Sequence, residues 1–528
     1  MPLFHRPVAF WLGCALITFG VLAHGPMFLM GRYTHWQMVD MPMTPGMWIG
    51  MLLIPVGLAL SWFGLAPPPA GAEPGAAVAR QFHVADDVPL QREHLLLVAV
   101  LVVTLAIDVM KPATLGFVMP GMCREYRIGR STAGLLALVA LTGTTVGSVV
   151  WGRIADRIGR RAAVLLSALM FMGTSICGAM PAFAWNLAMC FLMGASAGGL
   201  LPITFTLMAE TIPARHRGWL LVALGGVGTS AGYLLAAGAA AWLEPMFSWR
   251  VLWLLGLPTG AVILLLNRFI PESPRFLWAA GRRQEALAVL RRFAGRGEAL
   301  EPDDARHPGP PTIDERHPVD GMRRLLEGRH APLTWAMVTC GLGWGLVNFG
   351  FLLWLPTDLA SLGVDPHAAS GLLARSAVYA LPGIAVVVWL YHRWSSFGTL
   401  VSFIALTALA LLGFALLAQL GVRSSGATMA VTAVLLTAVS GVIAMLIPYA
   451  AEIYPVRLRG TGAGVIAASS KFGGIVGAGI ALLGFFDHFA LSALLLSLPM
   501  AGAALMLGGR GIETRGVRLE EIQQSLRG

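Results

Sequence analysis

Fourteen apolar runs, most of them near the roughly 20 residues a helix needs to cross a bilayer, leave this chain few ways to fold. Inside lipid a backbone amide finds no water, so each run must close its own hydrogen bonds as a helix. The runs fall at 8–30 and 47–65, then at 94–120, 131–151, 162–180, 184–209, 218–243 and 250–270. Six more follow at 333–356, 370–390, 398–420, 427–452, 461–484 and 489–509. With 56% hydrophobic and only 12% charged residues, and a mean hydropathy of +0.72, a water-soluble core is excluded. The expected fold is an all-α polytopic membrane protein with 14 spans, a two-helix hairpin followed by two sets of six.

The two sets carry the same mark. The pattern E-x-x-P-x-x-x-R-G closes one span in each, as Glu210, Pro213, Arg217 and Gly218 and as Glu452, Pro455, Arg459 and Gly460, 242 residues apart. Such an interval holds six spans with their loops, so the chain reads as two halves on one plan, the organisation of secondary transporters. The expected domains are an N-terminal hairpin and linker (1–93), a first six-helix bundle (94–270), a central loop (271–332), a second bundle (333–510) and a tail (511–528). The central loop is too rich in arginine to enter lipid.

A net charge of +10 is compatible with a nucleic-acid partner, but the basic residues sit in loops and form no continuous stripe, so none is expected. They fix topology instead. With the N-terminus cytoplasmic, 28 basic residues fall inside, 6 outside and 3 within spans. Arg124, Arg127 and Arg130 fall outside and are a local exception, partly offset by Glu125. The location expected is the cell's inner membrane, multi-pass, with the lipid bilayer as surroundings and a monomer as the working form. The five cysteines are dispersed and show no ligand spacing, so neither a disulfide framework nor a zinc site is implied.

Arg6 and the apolar stretch to about Leu29 resemble a signal peptide, yet the run is too long and lacks a small-residue cleavage site. A retained hairpin is the expectation. Its loop gathers His24, Met27, Met30, His35, Met38, Met41, Met43 and Met47. Thioether and imidazole ligands suit Cu(I), which opens a metal-handling alternative. Methionine is also adaptable apolar filler, the spacing matches no ligand motif, and no metal or other cofactor is assigned.

The turn Gly152 to Arg161 reads G-R-I-A-D-R-I-G-R-R. Its glycines allow a close reversal, and Asp156 can pair with an arginine or face the positive N-terminus of a neighbouring helix. This turn is similar to the signature loop of the major facilitator superfamily. The resemblance implies a cytoplasmic latch built from Asp156, Arg157, Arg160 and Arg161 that breaks during transport. P-E-S-P-R-F-L at 271–277, with the two copies of the repeated pattern, resembles the sugar-porter and metabolite–proton symporter branch over about 94–510. That likeness implies gating ion-pair networks containing Glu210, Arg217, Glu452 and Arg459. Glu272 to Arg296 has helical apolar spacing and predicts a surface helix along the cytoplasmic gate.

Departures from the pattern narrow the substrate. The second-half counterpart of the signature turn, Tyr391 to Gly398, has no acid, so an asymmetric latch is expected. The first helix of the second half carries one amide, Asn348, where sugar porters carry paired glutamines, which disfavours a hexose. Cys190 stands where the family often has an arginine before F-L-x-G.

A charge near the centre of a span costs at least ~2.5–3.5 kcal/mol and usually faces a polar cavity. Asp108 and Lys111 lie one turn apart in the third span, next to Pro112, while Lys471 and Arg375 lie in later spans. An internal ion pair is the simpler reading of Asp108 and Lys111, and a snorkelling side chain that of Arg375. Three cations against one acid point to an anionic substrate held by Lys111, Lys471 and Arg375, with Asn348 and Trp344 in the pocket wall. Asp108 is the expected proton carrier. No enzyme motif is present. The function expected is secondary active transport of a small organic anion by alternating access, coupled to protons; export of amphipathic compounds is the alternative.

Overall fold

The computed structural model describes residues 5–66, 88–294, 325–326, 330–361, 366–421, 424–454 and 456–514. Most of the expected central loop, the linker after the hairpin, most of the tail and the Arg459 side chain lie outside the described residues. Among the described residues, fourteen helices are long and apolar enough to cross a membrane, in the order expected. They are α1 (Pro7–Thr34), α2 (Pro45–Leu65), α3 (Arg92–Glu125), α4 (Arg130–Ile158), α5 (Arg160–Ala179), α6 (Phe183–Thr211) and α7 (Arg215–Phe247). The rest are α8 (Val251–Phe269), α9 (Ala331–Leu359), α10 (Ala368–Arg393), α11 (Ser396–Gln419), α12 (Ser425–Ala450), α13 (Gly462–Leu482) and α14 (Phe489–Gly508).

The described chain gathers into two compact units. The first comprises 1–111, 142–217 and 247–312, and the second 112–141, 218–246 and 313–528. Helices α3, α4 and α7 each contribute one part to either unit.

In the first unit the hairpin closes through glycines spaced seven apart. A side chain at Gly20 would meet the Gly50 carbonyl at 2.7 Å, and one at Gly57 would meet the Gly13 carbonyl at 2.7 Å. Lipid offers no hydrophobic drive between helices, so small residues that let backbones touch supply the packing. Ile54 of the hairpin fills the space above Gly173 on α5. Helix α5 is held to α6 by Ser167 Oγ, which donates to the Ser196 carbonyl at 2.7 Å. The fully buried Arg250 donates to the carbonyls of Gly178 and Met180 at 3.1 and 2.9 Å, satisfying the end of α5.

In the second unit α9 lies against α13 at Gly345, whose absent side chain leaves room for Gly474 N at 2.7 Å. Next to this contact α9 widens into a π-helical stretch, Leu346–Leu352, which contains Asn348. Such widenings leave backbone groups poorly paired and are frequent at functional sites. Phe351, Phe414 and Phe489 pack with ring centroids 5.3 to 5.8 Å apart and close the core behind it.

The surface helix expected over 272–296 is two helices, Pro274–Ala279 and Arg283–Ala294. Gly281, with φ of 75°, breaks them. The second is tied to the start of α3 by Arg292 and Glu93, 2.6 Å apart.

Candidate functional site

The signature turn is the tightest reversal in the first unit. α4 ends at Ile158 and α5 begins at Arg160, and the single residue between them, Gly159, has φ of 105°, which a side chain would strain. Asp156 pairs with Arg160 at 3.4 Å, one turn away, and does not face the N-terminus of α5. That position belongs to Glu272. Its carboxylate accepts the amide of Arg160 at 2.7 Å and that of Arg161 at 3.3 Å, where the helix leaves its first N–H groups unpaired. Burial raises the Glu272 carboxyl above its ordinary value, opposed by the amides of Ser273, Arg160 and Arg161 and by the Arg160 charge. Arg161 also donates to Asn267 Oδ1 at 2.8 Å, while Arg157 is exposed. Glu210 accepts from the hydroxyl of Ser273, and Arg217 donates to the Ile212 carbonyl at 3.2 Å.

The second unit repeats this arrangement with residues from the start of the tail. Glu513 accepts the amide of Ser396 at 3.0 Å at the N-terminus of α11, and Thr514 Oγ1 donates to Glu452 at 2.6 Å. Glu452 also accepts from Tyr391 at 3.2 Å. Glu513 and Thr514 therefore do in one half what Glu272 and Ser273 do in the other. The second-half turn has no acid of its own, and Glu513 supplies one at the start of α11.

Sites within the spans divide by unit. Lys111 is fully buried, 3.2 Å from Asp108 and with its ammonium 4.0 Å from the centre of the Phe171 ring. The two charges that the sequence places one turn apart are thus brought together as a pair in the first unit. In the second unit Lys471 and Asn348 are half-buried, whereas Arg375 is exposed on α10. Trp344 is buried, but its indole N–H already donates to the Val439 carbonyl at 2.8 Å, leaving only its ring face for a ligand.

Two residues that sequence reasoning passed over stand on α7. The hydroxyls of Ser230 and Tyr233 are buried and have no hydrogen-bond partner among the described residues. They are three positions apart and so share a helix face. The Tyr233 ring meets Phe117 of α3 edge-on, with centroids 5.8 Å apart. A buried hydroxyl left unpaired costs about 1–3 kcal/mol, so each is a group that a ligand or water could satisfy.

A further cluster holds Arg130, one of the three arginines of the positive-inside exception. Arg130, at the opposite end of α4 from the signature turn, pairs with Asp358 near the end of α9 and lies 3.7 Å from Asp487. Its guanidinium also stands 5.7 Å from the Trp354 ring. Asp358 is 1% exposed, so the arginine is compensated by a buried acid.

Comparison with known proteins agrees with this anatomy. A niacin transporter of Acinetobacter baylyi is 27% identical over 450 residues, 83% of this chain and 98% of that protein. A 4-hydroxybenzoate transporter of the same species is 28% identical, covering 80% of this chain and 92% of its own length. Among solved structures, a proton:xylose symporter bound to 6-bromo-6-deoxy-D-glucose superposes with a TM-score of 0.63 at 17% identity, covering 82% of this chain and 99% of that one. The sequence profile of the Major Facilitator Superfamily matches residues 96–478. With fourteen spans, the paired end-capping acids and that match, the chain belongs to the Major Facilitator Superfamily and is a multi-pass membrane transporter of small molecules.

Proposed function

We propose that this protein carries a planar aromatic monocarboxylate across the inner membrane by proton-coupled alternating access, with its N-terminus in the cytoplasm. The observation that carries the reading is the pair of unpartnered buried hydroxyls, Ser230 and Tyr233, beside the Phe117 ring. An aromatic acid offers a flat face for the ring and oxygens for the hydroxyls. Niacin and 4-hydroxybenzoate, named for the two relatives above, share that chemistry. Lys471 and Asn348, in the same unit, supply a cation and an amide for the carboxylate. A hexose would need more amides and hydroxyls than this wall provides.

Asp108 is the proton carrier in this reading. Its protonation releases the Lys111 ammonium, which changes the charge buried in the first unit and so the balance between states. The expected six-helix bundles, 94–270 and 333–510, rock about the site, and the contacts of Glu210, Glu452, Glu272 and Glu513 form and break on the cytoplasmic side. The protein acts as a monomer.

Uptake kinetics in cells test the pocket. Tyr233→Phe and Ser230→Ala should each raise KM for 4-hydroxybenzoate or niacin about tenfold, the value of one lost hydrogen bond to a charged group. Unchanged KM in both variants, with wild-type transport of either compound, would remove these hydroxyls from the site.

A further inference from the structure

The family match begins at residue 96, so the N-terminal hairpin lies outside it. At the loop end of that hairpin Met27, Met38 and Met47 pack into one cluster, each 3% exposed or less, with Phe28, Trp36, Met41 and Met43 against it. The loop turns back on itself through three left-handed residues, His35, Trp36 and Asp40, and this reversal buries Met38. The Asp40 amide donates to the Pro181 carbonyl at 3.3 Å and ties the loop to the turn between α5 and α6.

His24 lies toward the same end of α1. Gly13 faces Gly57 and Gly20 faces Gly50 across the antiparallel hairpin, and that register sets His24 level with Met47. Its Cε1 lies 3.1 Å from where a Gly50 side chain would begin, and Met27 follows one turn along α1. The imidazole is 1% exposed. Its Nδ1 is 3.0 Å from the Gly20 carbonyl, an acceptor, so Nδ1 carries the proton and Nε2 keeps its lone pair. Nε2 is buried and has no hydrogen-bond partner among the described residues. The neighbouring thioethers are acceptors as well, and none can supply the missing proton.

We propose that His24 Nε2 and the thioethers of Met27, Met38 and Met47 bind a soft monovalent cation of the Cu(I) class. One soft cation takes electron pairs from Nε2 and from thioether sulfurs together. All four ligands are neutral, so the site holds a single positive charge, and thioethers select Cu(I) over hard divalent ions. Among the described residues no group of three or more His, Cys, Asp or Glu stands together to hold a harder metal. The ligands come from both helices and the loop between them, which is why their sequence spacing matches no motif. The site is separate from the transport pocket and does not depend on the identity of the cargo.

The test is an anaerobic titration of the purified full-length protein in detergent, with Cu(I) against a chromophoric competitor and with Ag(I) as a redox-inert probe. One equivalent should bind saturably, and silver-edge absorption should show sulfur and nitrogen neighbours. The M27L/M47L double variant keeps the side-chain volume and should retain its melting temperature while binding at least about tenfold more weakly. The M41L/M43L variant should bind like the wild type. Absence of saturable binding in the wild type, binding unchanged in M27L/M47L, or loss only in M41L/M43L would each overturn the proposal.

Discussion

The carboxylate of Glu513 accepts the backbone amide of Ser396 at 3.0 Å, as Glu272 accepts that of Arg160 at 2.7 Å. Each acid sits where a helix presents unpaired N–H groups and a positive dipole end. Each is followed by a hydroxyl residue that bonds the glutamate of the repeated pattern, Thr514 to Glu452 and Ser273 to Glu210. The duplication therefore extends to the residues that fasten the starts of α5 and α11.

Replacing Glu513 by Ala should cost about 1 kcal/mol, the usual worth of an N-terminal cap. Glu513→Gln, which keeps an acceptor oxygen, should cost less. Thermal unfolding of the purified variants checks both, and equal losses would assign the effect to charge rather than to the bond.

Glu272 predicts a pH dependence of definite sign. Burial holds its carboxyl above the ordinary value of 4.5, so the folded state binds the proton more tightly than the unfolded chain. The stability this adds is complete below that ordinary value and is lost as pH rises through the folded one. The melting temperature of the wild type relative to Glu272→Gln should therefore fall as the pH rises above 4.5. A difference that stays constant or grows would contradict the direction of the shift.

The Arg130 and Asp358 pair should behave as a buried ion pair. Asp358→Asn leaves the arginine facing only Asp487, at 3.7 Å. Breaking a fully buried pair costs ~3–5 kcal/mol, but Arg130 is 27% exposed, so about 2 kcal/mol is expected here. Adding Arg130→Met should recover part of that loss, as a double-mutant cycle would register.

Much of this was legible in the chain. The apolar runs dictated fourteen helices because lipid allows no other way to satisfy the backbone, and Asp108 and Lys111 announced their pairing by lying three residues apart. What stayed hidden depended on residues distant in sequence. Arg130 and Asp358 are separated by 228 positions, and Glu272 reaches Arg160 across 112. The Glu-Ser and Glu-Thr dipeptides at 272 and 513 are a readable echo of the repeat, but Glu513 lies beyond the last span, where topology gives no reason to look. Ser230 and Tyr233 look ordinary in an apolar helix, and only three dimensions reveal that their hydroxyls lack partners. Arg375 is exposed and the Trp344 indole N–H is bonded to the Val439 carbonyl, surroundings that residue type and spacing do not announce.

Asp108→Asn should abolish uphill accumulation, leaving an internal-to-external ratio of about one, while counterflow exchange persists. In the proposed reading the lost step is protonation, and the hydroxyls assigned to the substrate, those of Ser230 and Tyr233, belong to the other unit. Loss of exchange together with accumulation would instead make Asp108 structural.

The central claim is settled most directly in proteoliposomes, by uptake of radiolabelled 4-hydroxybenzoate and niacin with and without an inward proton gradient, alongside a dicarboxylate, phosphate and xylose. The account predicts that an aromatic monocarboxylate accumulates above its external concentration only when the gradient is present, and that xylose does not. Accumulation of xylose or of a dicarboxylate in its place, or aromatic-acid uptake indifferent to the gradient, would contradict it.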